Sequence, residues 1–150
     1  MSETLKDRLT GAVKAAMKSA DKPRVAALRL ILAGIKQQEV DSRDAVDDDS
    51  AIALLTRMAK QRRESIQQFE AAGRQDLADK EVYELAIITE FLPAQLDEAE
   101  IEAAVSSAIA EADASSMRDM GKVMGLLKPA LAGKADMAAV SAMVKARLAG

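Results

Sequence analysis

The sequence predicts an all-α fold of four helices followed by three shorter ones, and three observations predict it. Apolar residues recur at spacings of three, four and seven through nearly every segment, which is the period of an amphipathic helix. Only three aromatics occur (Phe69, Tyr83, Phe91), without β-branched runs, so the core must be built from aliphatic, methionine and alanine side chains that suit close helix contacts. Glycine and proline fall where helices must end: Gly73 sits where a stop needs a residue tolerant of positive φ. Pro93 pushes Leu92 out of the helical region.

Taken in order, a first helix is expected from about residue 3 to 19 on Leu5, Leu9, Val13 and Met17. Asp21, with Pro23 just inside the next start, is an N-terminal signature for a second helix over about 22–40, packing on Val25, Leu28, Leu32 and Ile35. The acidic connector 41–49 offers Asp47, Asp48 and Asp49 as caps for a third helix. The segment from Arg57 to Pro93 organises the rest. It is a hairpin of two helices about Gly73, with stripes Ile52, Leu55, Ala59, Ile66, Phe69 and then Ala78, Val82, Leu85, Ile88, Leu92. The boundary at Pro93 gives an N-terminal domain over 1–92 and a C-terminal one over 93–150.

In the C-terminal part, Asp97 with Glu100 reads as a capping box for a fifth helix over about 96–112, on Ile101, Val105 and Ile109. Ser116 with Asp119 repeats the box for a sixth. Asp136 caps a seventh on Met137, Val140, Val144 and Leu148. A unit this small buries about 60% of its unfolded surface, so it is expected to be only marginally stable alone.

The residue inventory excludes several chemistries. With no cysteine there is no disulfide framework or thiolate metal site, and with no histidine the Ser-His-Asp and Cys-His mechanisms are unavailable. No metal and no cofactor is expected. No apolar run reaches the ~20 residues a membrane span needs, and Glu3, Asp7 and Asp21 argue against a transit peptide, so a cytoplasmic location is expected. The net charge of −3 hides alternating blocks. Residues 1–40 carry eight Lys or Arg against four acids, 97–113 carry six acids and no base, and 117–150 carry six bases against two acids.

The last block holds the candidate site. Gly121 and Gly125 lie one turn apart inside a helix, where each costs about 1 kcal/mol relative to alanine. Either another backbone packs closely there, or the bare ridge admits a phosphate–ribose backbone. Lys122, Lys128, Lys134, Lys145 and Arg147 are candidates to neutralise phosphates; Arg62 and Arg63 of a second basic cluster are further candidates. Aromatic interleaving is absent, so RNA would be recognised by backbone and shape. Glu81 and Glu84 around Tyr83, with Asp76 and Asp79, are the remaining carboxylates, at spacings equally typical of a solvated face.

Several ordered fragments carry a resemblance. They are Lys60-Gln61-Arg62-Arg63 with Ser65-Ile66-Gln67-Gln68-Phe69; Ala72-Gly73-Arg74-Gln75-Asp76-Leu77-Ala78; Tyr83-Glu84-Leu85; and Leu92-Pro93-Ala94-Gln95-Leu96. Met120-Gly121-Lys122-Val123-Met124-Gly125, Gly133-Lys134-Ala135-Asp136-Met137 and Val144 complete the set. Over essentially its whole length the chain resembles the YqeY-like proteins, which share a domain with the C-terminal tail of the B subunit of the glutamine-dependent aminoacyl-tRNA amidotransferase. Lys22-Pro23 and the acidic connector look individual to this chain.

The resemblance implies an all-helical protein with a four-helix part, a small three-helix part, and an association with tRNA or structured RNA and the translation machinery. It also brings the label of a carbon–nitrogen ligase with glutamine as amido donor. No catalytic constellation for that chemistry is found in these 150 residues. Three readings follow: a non-catalytic tRNA- or RNA-binding module; an enzyme or accessory of the amidotransferase class; and an adaptor for a translation-related protein partner, using Met117, Met120, Met124, Met137 and Met143.

Overall fold

The computed structural model describes residues 3–149, which form seven α-helices and one 3-10 turn, with no strand among the described residues. The order is α1 (Leu5–Lys18), α2 (Lys22–Ser42), α3 (Asp48–Ala71), α4 (Gln75–Glu90), α5 (Glu98–Ala112), a 3-10 turn (Met117–Asp119), α6 (Met120–Leu131) and α7 (Met137–Ala149). The chain divides into two compact units, Met1–Leu92 and Pro93–Gly150.

In the first unit three of the four helix starts are capped by a side chain, and α4, which follows Arg74, is not. Thr4 and Asp7 form a capping box on α1, Asp21 accepts from the Arg24 N–H with Pro23 in the first turn of α2, and Asp47 accepts from the Ser50 N–H at 2.8 Å to start α3. The acidic connector is therefore structural. Its Asp48 also accepts from the Leu5 N–H at 2.9 Å, satisfying an orphan donor of α1 from 43 residues away. Glu39 takes Lys6 at 2.7 Å and the Val46 N–H at 3.0 Å, and these two donors hold its carboxyl below the ordinary range. The α3–α4 corner is closed by Gly73 at φ +72°.

Leu9, Leu28, Ile31, Ile35, Leu55 and Ile88 are fully buried at the centre of this unit. Each contributes on the order of 1.5–3 kcal/mol through area removed from water.

Two members of the expected stripes are exposed, and Ile66 and Phe69 are only half-buried. Met17 is 54% exposed and Ala16 is buried in its place. A series stepping by four residues turns about 40° per step, so by the fourth member it has left the core side, whereas Leu9 to Ala16, seven apart, stays in line. Val82 is 46% exposed, about 100° around α4 from Glu81, and the seam between α3 and α4 at this level is filled by polar groups. There Arg62 Nε lies 2.8 Å from Glu84 and 3.4 Å from Glu81.

The second unit closes around Val105, Val123, Leu127, Val140 and Val144. The Asp97–Glu100 box starts α5 at Glu98, two residues later than the periodicity predicts, because Leu96 sends its N–H to the Lys134 carbonyl at 2.9 Å. The Ser116–Asp119 box is present, yet it opens a single 3-10 turn and α6 follows from Met120. Gly133 at φ +72° makes the turn into α7, where Asp136 accepts from the Ala138 N–H at 3.1 Å.

Candidate nucleic-acid interface

Successive residues of α6 are rotated by about 100°, so Gly121, Gly125 and Lys128 form one narrow stripe and Lys122 with Pro129 forms the stripe beside it. All five are exposed, while Val123, Met124, Leu127 and Leu131 bury the opposite side. A Cβ added at Gly121 or at Gly125 would meet nothing within 4 Å. Neither glycine is therefore there to let another element approach. The ridge is bare and faces outward between two lysines. Pro129 has no N–H, so the Gly125 carbonyl lacks the donor that the next turn would ordinarily supply.

Lys134 is exposed in the α6–α7 loop, and that loop is tied down. Gln95 Nε2 donates to the Gly133 carbonyl at 2.7 Å, Leu96 N–H to the Lys134 carbonyl, and Lys134 N–H to the Leu131 carbonyl at 2.9 Å.

The two cations of α7 do not share a face. Lys145 and Arg147, two residues apart, point roughly 160° apart around the helix. Arg147 is directed at α5, where it donates to Ser106 Oγ at 2.9 Å. Arg62 and Arg63 belong to the first unit; Arg62 is engaged by Glu81 and Glu84, and Arg63 is half-buried on α3. Of the seven cations singled out from sequence, α6 and its loop gather three: Lys122, Lys128 and Lys134.

A fourth was missed. Arg118 is exposed in the 3-10 turn, four residues before Lys122, and that spacing beside a basic residue was the available signal. Opposite in character is α5, which exposes Glu98, Glu100, Glu102 and Glu111.

Asp119 anchors the start of the ridge. It accepts from the N–H groups of Ser115 at 2.9 Å and Ser116 at 3.3 Å, which with Lys122 and Arg118 nearby hold its carboxyl below the ordinary range. Its folded pKa is thus lower than the unfolded value of about 3.9. The stability it contributes is present above that value and is lost as pH falls through the depressed one. Asp119→Asn carries no such proton-linked part. The stability gap between the two proteins should be widest above about pH 5 and should shrink below about pH 4. Urea unfolding of both at pH 6 and pH 2.5 checks this, and an unchanged gap would exclude the linkage.

The methionines divide. Of the five in the C-terminal unit, Met124 is buried, Met120, Met137 and Met143 are partly buried against the core, and Met117 is exposed, at 40%. Among the described residues no group of three or more acidic side chains is placed to hold a metal ion, and no helix is long and apolar enough to cross a membrane.

Comparison with known proteins gives a consistent picture. The family described as Yqey-like protein matches residues 6–148. Curated relatives named "Altered inheritance of mitochondria protein 41, mitochondrial" include those of Candida glabrata, 37% identical over 82 residues (53% of this chain, 45% of the relative), and Lachancea thermotolerans, 37% identical over 103 residues (66% and 54%). That of Pyrenophora tritici-repentis is 30% identical over 131 residues, 85% of this chain and 71% of the relative. The chain spans about half the length of the first two. Their names specify a compartment and no ligand.

Proposed function

This chain belongs to the YqeY-like protein family, and from that membership we propose that its C-terminal unit is a non-catalytic module that holds tRNA or another structured RNA by its phosphate backbone. The observation that carries the reading is the open glycine ridge. Two helical glycines destabilise α6 without admitting any neighbouring element. A backbone-recognising surface is where such a bare, cation-flanked ridge is useful, since a phosphate–ribose chain can lie against it within reach of Lys122 and Lys128.

Lys134 and Arg118 extend the positive surface at either end of α6. The acidic α5 disfavours nucleic acid on its own side and so orients the approach. The module works wherever tRNA is used: the cytosol expected from the sequence, or the mitochondrion that the relatives' names specify. Fractionation with an antibody to this chain separates the two.

The test is binding of labelled bulk tRNA across a salt series. With about four phosphates neutralised, log affinity falls with a slope near −3 against log salt, about a hundredfold between 50 and 200 mM. Absence of binding at 50 mM would end the reading.

A second variant has opposite expected effects on stability and binding. Gly121→Ala with Gly125→Ala should stabilise the unit by about 1–1.5 kcal/mol, Gly121 giving less because it is one residue from the helix start. The same pair should weaken tRNA several-fold by placing methyl groups on the ridge. Paired thermal melts and anisotropy titrations read both; stabilisation with unchanged affinity would leave the ridge without a role.

A further inference from the structure

A second apolar seam runs along the outer face of α2, independent of the RNA reading. Pro23, Ala26, Leu30, Ala33 and Val40, with the polar Gln37 before the last, follow one another at spacings of three and four over most of the helix, and all six are exposed. Leu30 is 49% and Val40 63% open to solvent. The core side of α2 is a separate set, Ala27, Leu28, Ile31 and Ile35. A strict three–four alternation is the seam by which one helix packs along another.

The edges of this seam differ in charge. Lys22, Arg29 and Lys36, one heptad apart, form a basic rail on one edge. Among the described residues none of the three is in an ion pair, although Lys6 and Arg24 of the same unit are. The other edge turns to the neighbouring helices, with Ala27 buried, Gly34 against Met58 and Leu54 of α3, and Asp41 exposed at its end. Clefts flank the seam on both sides. One of about 430 Å³ lies against Met17 and Ala20, and one of about 320 Å³ lies against Lys80 and Tyr83 of α4. The seam is therefore a ridge between two grooves, with a further cation beyond the second.

We propose that this face docks an amphipathic helix of a partner protein, apolar along its own three–four seam and acidic along the edge that meets Lys22, Arg29 and Lys36. The spacing specifies a helix, since an extended peptide would not register with residues three and four apart. The rail specifies the charge.

A second copy of this chain fits poorly. Antiparallel pairing sets rail against rail, and parallel pairing offers Asp41 as the one acid facing three cations. A lipid surface also fits poorly, because the seam's apolar residues are mostly alanine and proline, with Leu30 and Val40 the only large ones to insert.

The probe is a fluorescein-labelled 21-residue peptide of three heptads, leucine at both seam positions and glutamate at both flanks, titrated against the full chain by anisotropy and followed by amide chemical shifts. Saturable binding with shifts confined to α2 and its flanking grooves is expected. Leu30→Glu with Ala33→Glu, and separately Arg29→Glu with Lys36→Glu, should each weaken it tenfold or more while circular dichroism is unchanged. The same peptide with lysine flanks should not bind. Absence of binding, shifts elsewhere, or indifference to Leu30→Glu overturns the proposal. Self-association abolished by Leu30→Glu would assign the face to a second copy instead. Binding to phosphatidylcholine–phosphatidylglycerol vesicles that Leu30→Glu abolishes, with none to the peptide, would assign it to a membrane.

Discussion

Changing Lys122, Lys128 and Lys134 together to glutamate should abolish tRNA retention while leaving the helical circular-dichroism signal intact. All three side chains are exposed, and among the described residues none is in an ion pair or a side-chain hydrogen bond, so the fold does not need them. Lys128 lies in the last turn of α6, where a cation is favoured by the helix dipole, and Lys122 lies in the first, where it is disfavoured. Reversing both therefore changes stability by two terms of opposite sign, each about 0.3–1 kcal/mol, and the net effect is small.

Binding has no such cancellation. Each phosphate contact carries close to one unit of salt slope, so losing three of about four takes the slope from near −3 to about −1 or less, and three new carboxylates repel what remains. Equal retention by the triple variant would remove α6 from any RNA contact. Lys145→Glu, around α7 from Arg147, serves as the single-charge comparison and should weaken binding by much less.

Arg62→Ala should lower the stability of the first unit by about 1.5–3 kcal/mol, the range for hydrogen bonds to charged groups, and leave the tRNA salt slope unchanged. Arg62 Nε lies 2.8 Å from Glu84 Oε2 and 3.4 Å from Glu81 Oε2, with side-chain exposures of 19%, 12% and 21%, so the cluster is only weakly screened. Glu81 Oε2 has no hydrogen-bond partner, and the Arg62 charge is what compensates it. Removing the guanidinium leaves two carboxylates, one turn apart on α4 and largely shielded from water, without a counter-charge.

Arg62→Lys should recover only part of the loss, because a point charge cannot reproduce the planar donor set. Arg62→Ala combined with Glu81→Gln and Glu84→Gln should recover more, since the uncompensated charges go as well. Urea unfolding of the four proteins decides it. A loss of tRNA affinity in Arg62→Ala without a loss of stability would return Arg62 to the candidate RNA contacts.

Most helix starts and the corner at Gly73 were legible because each of these is written in one or two residues, whereas the starts of α4 and α6 carry no side-chain cap. Asp21, Asp47, Asp97 with Glu100, Ser116 with Asp119, and Gly73 all act where local chemistry requires them. Burial was less legible, for two physical reasons. Periodicity cannot distinguish steps of four that drift from steps of seven that hold, which is why Ala16 and not Met17 is inside. Nor does it show that the side of α4 turned to α3 will carry an Arg–Glu–Glu cluster while Val82 faces water.

For the candidate site, sequence identified the glycines as anomalous and could not say whether a neighbour filled the space beside them; only the coordinates show that the space is open. The turn at Met117–Asp119 hid Arg118, and that Arg147 and not Lys145 meets α5 required knowing which side of α7 faces α5.

The bonds from Gln95 and Leu96 to the carbonyls of Gly133 and Lys134 have a thermodynamic consequence. A lysine on a wandering loop must surrender backbone freedom at the moment of association, at roughly 1–2 kcal/mol for each residue fixed. Here that entropy is already lost on folding, so a ligand meeting Lys134 restrains little more than the side chain itself, and more of the charge attraction survives as affinity.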